Sequence, residues 1–124
     1  MGFQEGTILK PIDPQMVQET ISNLAGKKLY IHLETTNGAY AAHKNQSFFS
    51  VGAFIRNVQL TFVQGKIKGK GPYRVGLETE SGWLYAEGLT DWEIDNHQRI
   101  LFAGHDADGK LALALELSET PFPK

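Results

Sequence analysis

The first regular element of the chain is a segment of helical periodicity at residues 14–25. Asp13 supplies an N-cap side chain, and the proline that follows it is tolerated at the first helical position. Val17, Ile21 and Leu24 then recur at four- and three-residue spacing, which places them on one helical face. The pattern predicts an amphipathic helix over residues 14–25 that packs against the rest of the domain.

Beyond the helix, apolar and polar positions alternate with period two, which is typical of strands with one buried face. The alternating apolar positions are Leu29, Ile31 and Leu33; Val58, Leu60 and Phe62; Tyr73, Val75 and Leu77; Ile100 and Phe102; and Leu111, Leu113, Leu115 and Leu117. Seven or eight short antiparallel strands must fold over or close to protect their edges. The sequence therefore predicts one mainly β domain over residues 1–124, a small antiparallel β-barrel or a strongly curved sheet with the helix packed against it. Loose tails are expected at about residues 1–10 and 119–124.

Turn dipeptides predict the registers of two tight hairpins. Asn-Gly at 37–38 and Ser-Gly at 81–82 accept the positive φ angles that two-residue hairpin turns need. A two-residue turn at 81–82 places Leu77 opposite Ala86. Asp-Gly at 108–109 predicts a further turn between two strands.

The hairpin at 37–38 contains a candidate metal site. Its register places His32 opposite His43, with Glu34 on the same face. Directly opposed side chains lie about 5 Å apart at Cβ, close enough for both imidazoles and the carboxylate to ligate one zinc or similar ion. The alternative is the ordinary polar face of a half-buried hairpin, which the alternation with leucine and isoleucine favours.

The segment 65–74 is the sharpest charge feature of the sequence. It carries four positive charges and no negative one, on Lys66, Lys68, Lys70 and Arg74. Cations beside glycines present ammonium groups and free amides to a phosphate or carboxylate. The competing interpretation is a solvated hairpin whose lysines protect a sheet edge.

Two acidic segments have weaker claims. Asp91, Glu93 and Asp95 place carboxylates on alternate residues, which would allow acid–base chemistry only if one of them were buried. Residues 105–109 are similar to part of a calcium loop, but lack its third oxygen ligand and closing glutamate. A strand edge and a plain β-turn are the favoured interpretations.

Phe48 and Phe49 are adjacent, so on a regular strand one of them must face outward. Exposed aromatic side chains anchor protein interfaces, and open edge strands readily pair with a second copy. The sequence therefore predicts a homodimer with these residues in its interface.

Composition excludes several classes of function. The chain has no cysteine, which removes thiol catalysis, thiolate metal sites and disulfides together and fits a reducing cytoplasm. A net charge of −2 gives no support for binding nucleic acid or an anionic membrane. Neither a signal peptide nor a run of 18 apolar residues is present, so neither export nor membrane insertion is expected. No cofactor is predicted.

Three segments carry a resemblance to a known family: residues 11–13, 29–40 and 82–89, with sequences PID, LYIHLETTNGAY and GWLYAEGL. Over about residues 10–118 the chain resembles the YojF-like proteins of Bacillus and relatives. The resemblance implies a compact, β-rich cytoplasmic protein. It also implies a partner, since such proteins are often encoded next to a zinc-dependent deacetylase that acts on N-acetylglucosamine conjugates in bacillithiol synthesis. No catalytic motif is carried over.

The function predicted from these observations is a non-enzymatic binding or accessory module that contacts a partner protein or a small anionic metabolite. The alternative is a metal-dependent enzyme centred on His32, His43 and Glu34, with His97 or His105 completing the site.

Overall fold

A computed structural model describes residues 9–36 and 52–123 of the chain. One helix and nine antiparallel strands lie within these ranges. The helix is α1 (Pro14–Ser22), and the strands are β1 (Lys10–Pro11), β2 (Leu29–Thr36), β3 (Gly52–Leu60), β4 (Gln64–Gly69), β5 (Tyr73–Glu78), β6 (Trp83–Leu89), β7 (Asp91–Ile94), β8 (Ile100–His105) and β9 (Leu111–Ser118). The predicted mainly β class with one N-terminal helix is confirmed.

Helix α1 begins as its sequence predicts and ends earlier. Asp13 Oδ1 accepts from the N–H groups of Gln15 and Met16 at 3.1 and 3.2 Å, which satisfies two of the free donors of the first turn. The helix ends at Ser22, three residues before the predicted end, because the N–H of Gly26 donates to the carbonyl of Phe62 at 2.9 Å and turns the chain away. No helix in the described ranges is long and apolar enough to cross a membrane.

The strands form two open sheets. The larger sheet has the order β1-β7-β8-β9-β2-β3, and the smaller has the order β4-β5-β6. The described strands do not close into a barrel, so of the two predicted architectures the strongly curved sheet is the one that agrees with the structure, and its strands are divided between two sheets. The chain passes from the small sheet to the large one at Thr90, between β6 and β7.

The core lies between the two sheets, with α1 covering β4. Val17 and Ile21 of the helix are fully buried, and each contributes about 1.5–3 kcal/mol by leaving water. Gln18 ties the helix to the edge of β4: its Nε2 donates to Gly65 O at 2.8 Å, and its Oε1 accepts from Ile67 N at 3.0 Å. The larger side chains in the core are Phe62, Leu29, Leu77, Leu89, Trp92, Phe102, Leu115 and Leu117.

The register predicted for the β5–β6 hairpin is wrong by two residues. Leu77 pairs with Leu84, and Ala86 pairs with Val75. The two-residue turn is formed by residues 80–81, one position earlier than predicted, and it is closed by the Thr79 N–H, which donates to Gly82 O at 2.7 Å.

Strand β2 pairs with different neighbours from those predicted. His32 lies beside Arg56 of β3 on one side and Glu116 of β9 on the other, so both edges of β2 are occupied there. Neither edge of β2 is therefore open at His32 for the predicted pairing with His43. His43 itself and the predicted turn at 37–38 lie outside the described residues.

The C-terminal segment, which the sequence predicted to be loose, is anchored at Phe122. The Phe122 side chain is buried. The backbone N–H of Phe122 donates to Asn57 Oδ1 at 2.7 Å, and its backbone carbonyl accepts from Asn57 Nδ2 at 2.9 Å. The segment is thereby held against β3.

Candidate functional site

The outward face of the small sheet carries most of the predicted basic segment. We call it the basic aromatic face and define it by five exposed side chains: Lys66, Lys68, Arg74, Trp83 and Tyr85. Strands β4 and β5 form the predicted hairpin, and its register places Lys68 beside Arg74. Three of the four predicted cations therefore come together on one face.

A glycine in the middle of the face allows an aromatic ring to lie close to the sheet. Gly76 pairs with Lys66 on one side and with Tyr85 on the other. A Cβ atom at Gly76 would lie 2.9 Å from Tyr85 Cε1, a separation that van der Waals repulsion forbids. The tyrosine ring thus occupies the space that a side chain at residue 76 would need.

Flat groups are stacked along this face. The rings of Trp83 and Tyr85 are parallel within 2°, with centroids 5.5 Å apart. The guanidinium of Arg74 lies 5.1 Å from the centre of the Tyr85 ring. These distances are those of offset aromatic stacking and of a cation–π contact. The arrangement remains open to solvent, since Trp83 is 44% and Tyr85 is 52% exposed.

The cations of the face differ in their partners. Arg74 Nε donates to a carboxylate oxygen of Glu87, so this charge is balanced. Within the described residues, neither Lys66 nor Lys68 has an ion pair. A cleft of about 200 Å³ is lined by Lys66, Lys68, Arg74, Gly76, Trp83 and Tyr85.

Three of the four predicted cations line this cleft, together with Trp83 and Tyr85, which were not among the predicted site residues. Lys70 lies at the tip of the β4–β5 hairpin and does not line the cleft. Trp83 and Tyr85 alternate with Leu84 and Ala86 and share their phase with the charged Glu87. That alternation indicates an outward orientation, and it was the available signal.

A second polar cluster lies on the large sheet, around His32. Arg56 Nη1 lies 2.9 Å from His32 Nδ1, and Glu34 Oε1 lies 3.1 Å from His32 Nε2. Because a guanidinium only donates, Nδ1 must accept, and the ring proton sits on Nε2 and is donated to Glu34. Burial lowers the pKa of His32; the Glu34 hydrogen bond opposes this shift and the Arg56 charge adds to it. The histidine is a neutral bridge between a cation and an anion.

Glu116 lies beside His32 and is also buried, with 2% of its surface exposed. Its Oε2 atom has no hydrogen-bond partner within the described residues. Burial raises the pKa of Glu116 to about 7, against the nearby charges of Arg56 and Arg99, which lower it. This carboxyl group therefore gains a proton on folding near neutral pH.

The cluster does not provide the predicted metal site. Both ring nitrogens of His32 are already engaged, and a guanidinium at Nδ1 repels a further cation. In residues 9–36 and 52–123 no group of three His, Asp or Glu side chains is arranged to hold a metal ion. The proposed helpers lie elsewhere: His105 Nδ1 contacts Asp91 Oδ1 at 3.0 Å, and the His97 N–H donates to Asp95.

The alternate carboxylates of β7 have separate partners. Asp91 accepts from Thr90 Oγ1 at 2.6 Å, whereas Asp95 Oδ2 accepts from Arg99 Nε at 2.6 Å. Burial alone would raise the pKa of Asp95, but hydrogen bonds from Arg99 and from the His97 N–H outweigh it and lower this pKa. Asp95 holds the turn between β7 and β8, whereas Asp91 lies at the opposite end of that hairpin beside His105, so the two carboxylates do not form an acid–base pair.

The segment that is similar to a calcium loop is a β-turn. Asp106 Oδ1 accepts from the N–H groups of Asp108 and Lys110, both at 2.9 Å, and the Gly109 N–H donates to Asp106 O. Backbone donors thus use the oxygen that a cation would require. The predicted interface residues, Phe48 and Phe49, lie outside the described residues.

Together these features define a small mainly β protein with an exposed basic aromatic face and a buried ionic cluster. Residues 11–122 match the family described as a protein of unknown function, DUF1806, and the chain belongs to this family. It is 53% identical over 114 residues to the uncharacterized protein YojF of Bacillus subtilis (strain 168), covering 92% of this chain and 98% of that one. The crystal structure of Bacillus subtilis YojF superposes with a TM-score of 0.80 at 47% identity, covering 95% of this chain and 100% of that chain. The resemblance found in the sequence is confirmed.

Proposed function

We propose that the chain is a non-enzymatic binding module that holds a small anionic ligand on the basic aromatic face. One observation carries this proposal: Lys66 and Lys68, which have no ion pair among the residues that the structure describes, line the same cleft as an exposed, stacked aromatic pair. Oriented cations on a rigid sheet favour an anion, and apolar rings beside them give it a surface to contact.

In this proposal the buried cluster around His32 has a structural role. Arg56 connects it to the C-terminal segment, since Arg56 Nε donates to Pro123 O at 2.8 Å. The cluster thereby ties β2, β3 and the C-terminal segment together. A catalytic site would need a reacting group open to a substrate, whereas His32 is 1% exposed and is bonded at both nitrogens.

The test ligand is ribose 5-phosphate, a small anion. Removing Lys66 and Lys68 is expected to weaken its binding. For the double variant Lys66→Gln/Lys68→Gln we expect a dissociation constant about tenfold higher than wild type, because two exposed charge contacts are each worth up to about 1 kcal/mol. Wild-type affinity should fall between about 20 mM and about 200 mM salt, as screening shortens the range of the lysine charges. Isothermal titration calorimetry at both salt concentrations measures these effects.

The matched control is Lys27→Gln/Lys28→Gln, which removes the same charge from an exposed turn remote in sequence from the cleft. Its affinity should equal that of wild type. Equal loss in both double variants would indicate a general charge effect and would contradict a site on this face. Lys70→Gln should change the affinity less than either cleft lysine.

We further propose that the basic aromatic face also binds a partner protein. A zinc-dependent deacetylase, implied by the resemblance, is proposed as that partner if it presents an acidic surface. It would then compete with ribose 5-phosphate for the same lysines. A partner that binds equally well to wild type and to the cleft double variant would use another surface. A cytoplasmic location stays a prediction, and the net charge of −2 gives no reason to propose nucleic acid or a membrane as partner.

We also propose that the protein is a homodimer. Within the described residues β3 is the edge of the large sheet, and two of its apolar side chains are exposed, Phe54 (64%) and Val58 (53%). An exposed, apolar edge strand favours pairing with a second copy. Sedimentation at micromolar concentration should give twice the monomer mass of 13.8 kDa; a monomer alone would refute the dimer. Loss of the dimer in Phe54→Ser/Val58→Ser, but not in Phe48→Ser/Phe49→Ser, would place the interface on β3.

A further inference from the structure

The aromatic pair of the basic aromatic face indicates more about the ligand than its charge. An anion requires only cations, yet the cleft includes the parallel rings of Trp83 and Tyr85, about half exposed. Gly76 leaves room for the Tyr85 ring, and the Arg74 guanidinium lies 5.1 Å from the centre of that ring. A stacked pair of rings with a guanidinium beside it is therefore present before any ligand binds.

The two lysines lie on one side of this stack, at a distance that the strand pairing sets. Lys66, Gly76 and Tyr85 form one cross-strand row, so two strand spacings, about 10 Å in all, separate the lysine backbone from the tyrosine backbone. Both side chains extend from the same face into the same cleft. A ligand that uses the whole cleft must have its negative charge at one end and a flat, weakly polar group at the other.

We propose that the ligand class is a nucleotide, a phosphate ester of a planar heterocyclic nucleoside. The base extends the stack of Trp83 and Tyr85, the phosphate contacts Lys66 and Lys68, and the sugar spans the interval. This inference rests on the proposed function, because it names the ligand of the same site. Stacking on aromatic side chains is available to every base, so the face selects the class of ligand without a base-specific hydrogen bond.

The test compares the four ribonucleoside 5′-monophosphates with ribose 5-phosphate by titration calorimetry. At least one nucleotide should bind between about fivefold and about a hundredfold more tightly than ribose 5-phosphate, the range that one stacked base contributes. The Trp83→Leu variant should lose this advantage and keep the affinity for ribose 5-phosphate. Circular dichroism verifies that the variant is folded.

The position of the base has its own spectroscopic readout. The chain contains two tryptophans, and Trp92 is buried with 2% exposed. Quenching of fluorescence by a nucleotide, but not by ribose 5-phosphate, therefore reports stacking on Trp83. The matched control is Ile94→Ala, which removes an exposed apolar side chain from the large sheet and should leave nucleotide affinity unchanged.

The outcomes separate this inference from the function on which it rests. If ribose 5-phosphate binds in a lysine-dependent way, but no nucleotide binds more tightly and Trp83→Leu has no effect, the ligand is an anion without a stacked base and the nucleotide inference is overturned. If neither ribose 5-phosphate nor any nucleotide binds at low salt up to millimolar concentration, both proposals fail.

Discussion

Gly104→Ala is expected to lower the free energy of unfolding by about 3 kcal/mol, because an added methyl group would overpack a contact between two backbones. A Cβ atom at Gly104 would lie 2.5 Å from the carbonyl oxygen of Gly88 and 3.4 Å from Leu113 Cβ. Gly104 lies on β8 and Gly88 on β6, so this is a point where the large and small sheets touch. A flexible side chain could move aside, but a strand carbonyl cannot move without disturbing its sheet.

The destabilisation should be measured by urea unfolding, with Gly82→Ala as the matched control. Gly82 is exposed, and a Cβ atom there would have no neighbour within 4 Å. The control should therefore unfold within about 0.5 kcal/mol of wild type, as most surface substitutions do. A Gly104→Ala protein as stable as the control would mean that the two sheets do not approach each other at this point.

The close approach at Gly104 also marks a limit of sequence reasoning. Gly104 lies two residues after Phe102. The spacing of Ile100 and Phe102 predicted this strand, although both of its faces are buried in the structure. Nothing local shows that the backbone of Gly88, 16 residues earlier, lies against that position. The sheet-to-sheet contact is a property of the packed core, which the order of apolar and polar residues does not encode.

The end of the helix and the register of the β5–β6 hairpin were also mispredicted, because each depends on a hydrogen bond that the apolar pattern does not show. Helical periodicity continues to Leu24, but Gly26 donates to Phe62, a partner far along the chain. In the β5–β6 hairpin, the Ser81-Gly82 dipeptide suggested the turn, yet Thr79 Oγ1 accepts from the N–H groups of both Ser81 and Gly82. A hydroxyl acceptor thus moves the turn one residue earlier and changes every cross-strand pair.

The candidate site could be predicted from the sequence only in part. Charge is a local property, and the cluster of Lys66, Lys68 and Arg74 was predictable from sequence because a hairpin keeps near neighbours together. The aromatic half of the face comes from the next strand, and its contact with the cations depends on the absence of a side chain at Gly76. His32 was predicted as a metal ligand from its own hairpin, whereas its neighbours in the structure, Arg56 on β3 and Glu116 on β9, are distant in sequence and form an ionic cluster around it.

Glu116→Gln is expected to change how stability depends on pH. The pKa of Glu116 is raised from 4.5 to about 7 in the folded protein, because the side chain is buried. Arg56 and Arg99 partly oppose that shift, whereas the charges of Glu34 and Asp95 add to it. A raised carboxyl pKa means that folding takes up a proton between these two values, so its contribution is fully present below pH 4.5 and is lost as pH rises through about 7.

Above pH 7 the wild-type protein keeps a buried charge that costs about 3.5 kcal/mol, because its pKa rises from 4.5 to about 7 and a tenfold change in an ionisation constant is worth about 1.4 kcal/mol. Glutamine cannot ionise, so this loss should be absent in the variant. The free energy of unfolding of Glu116→Gln minus that of wild type should therefore increase by up to about 3 kcal/mol from pH 4.5 to pH 8.5. Any constant cost of placing an amide at the unpartnered Oε2 position cancels in this comparison between pH values.

Urea unfolding of both proteins across this pH range measures the effect, with Glu119→Gln as the matched control. Glu119 follows the same strand, but its side chain is 59% exposed and lies 3.7 Å from the Lys27 ammonium. An exposed pair of this kind contributes at most about 1 kcal/mol, so the pH dependence of the control should follow that of wild type. A constant difference between Glu116→Gln and wild type at every pH would mean that folding does not raise the pKa of Glu116. The charges of the two arginines would then offset the effect of its burial.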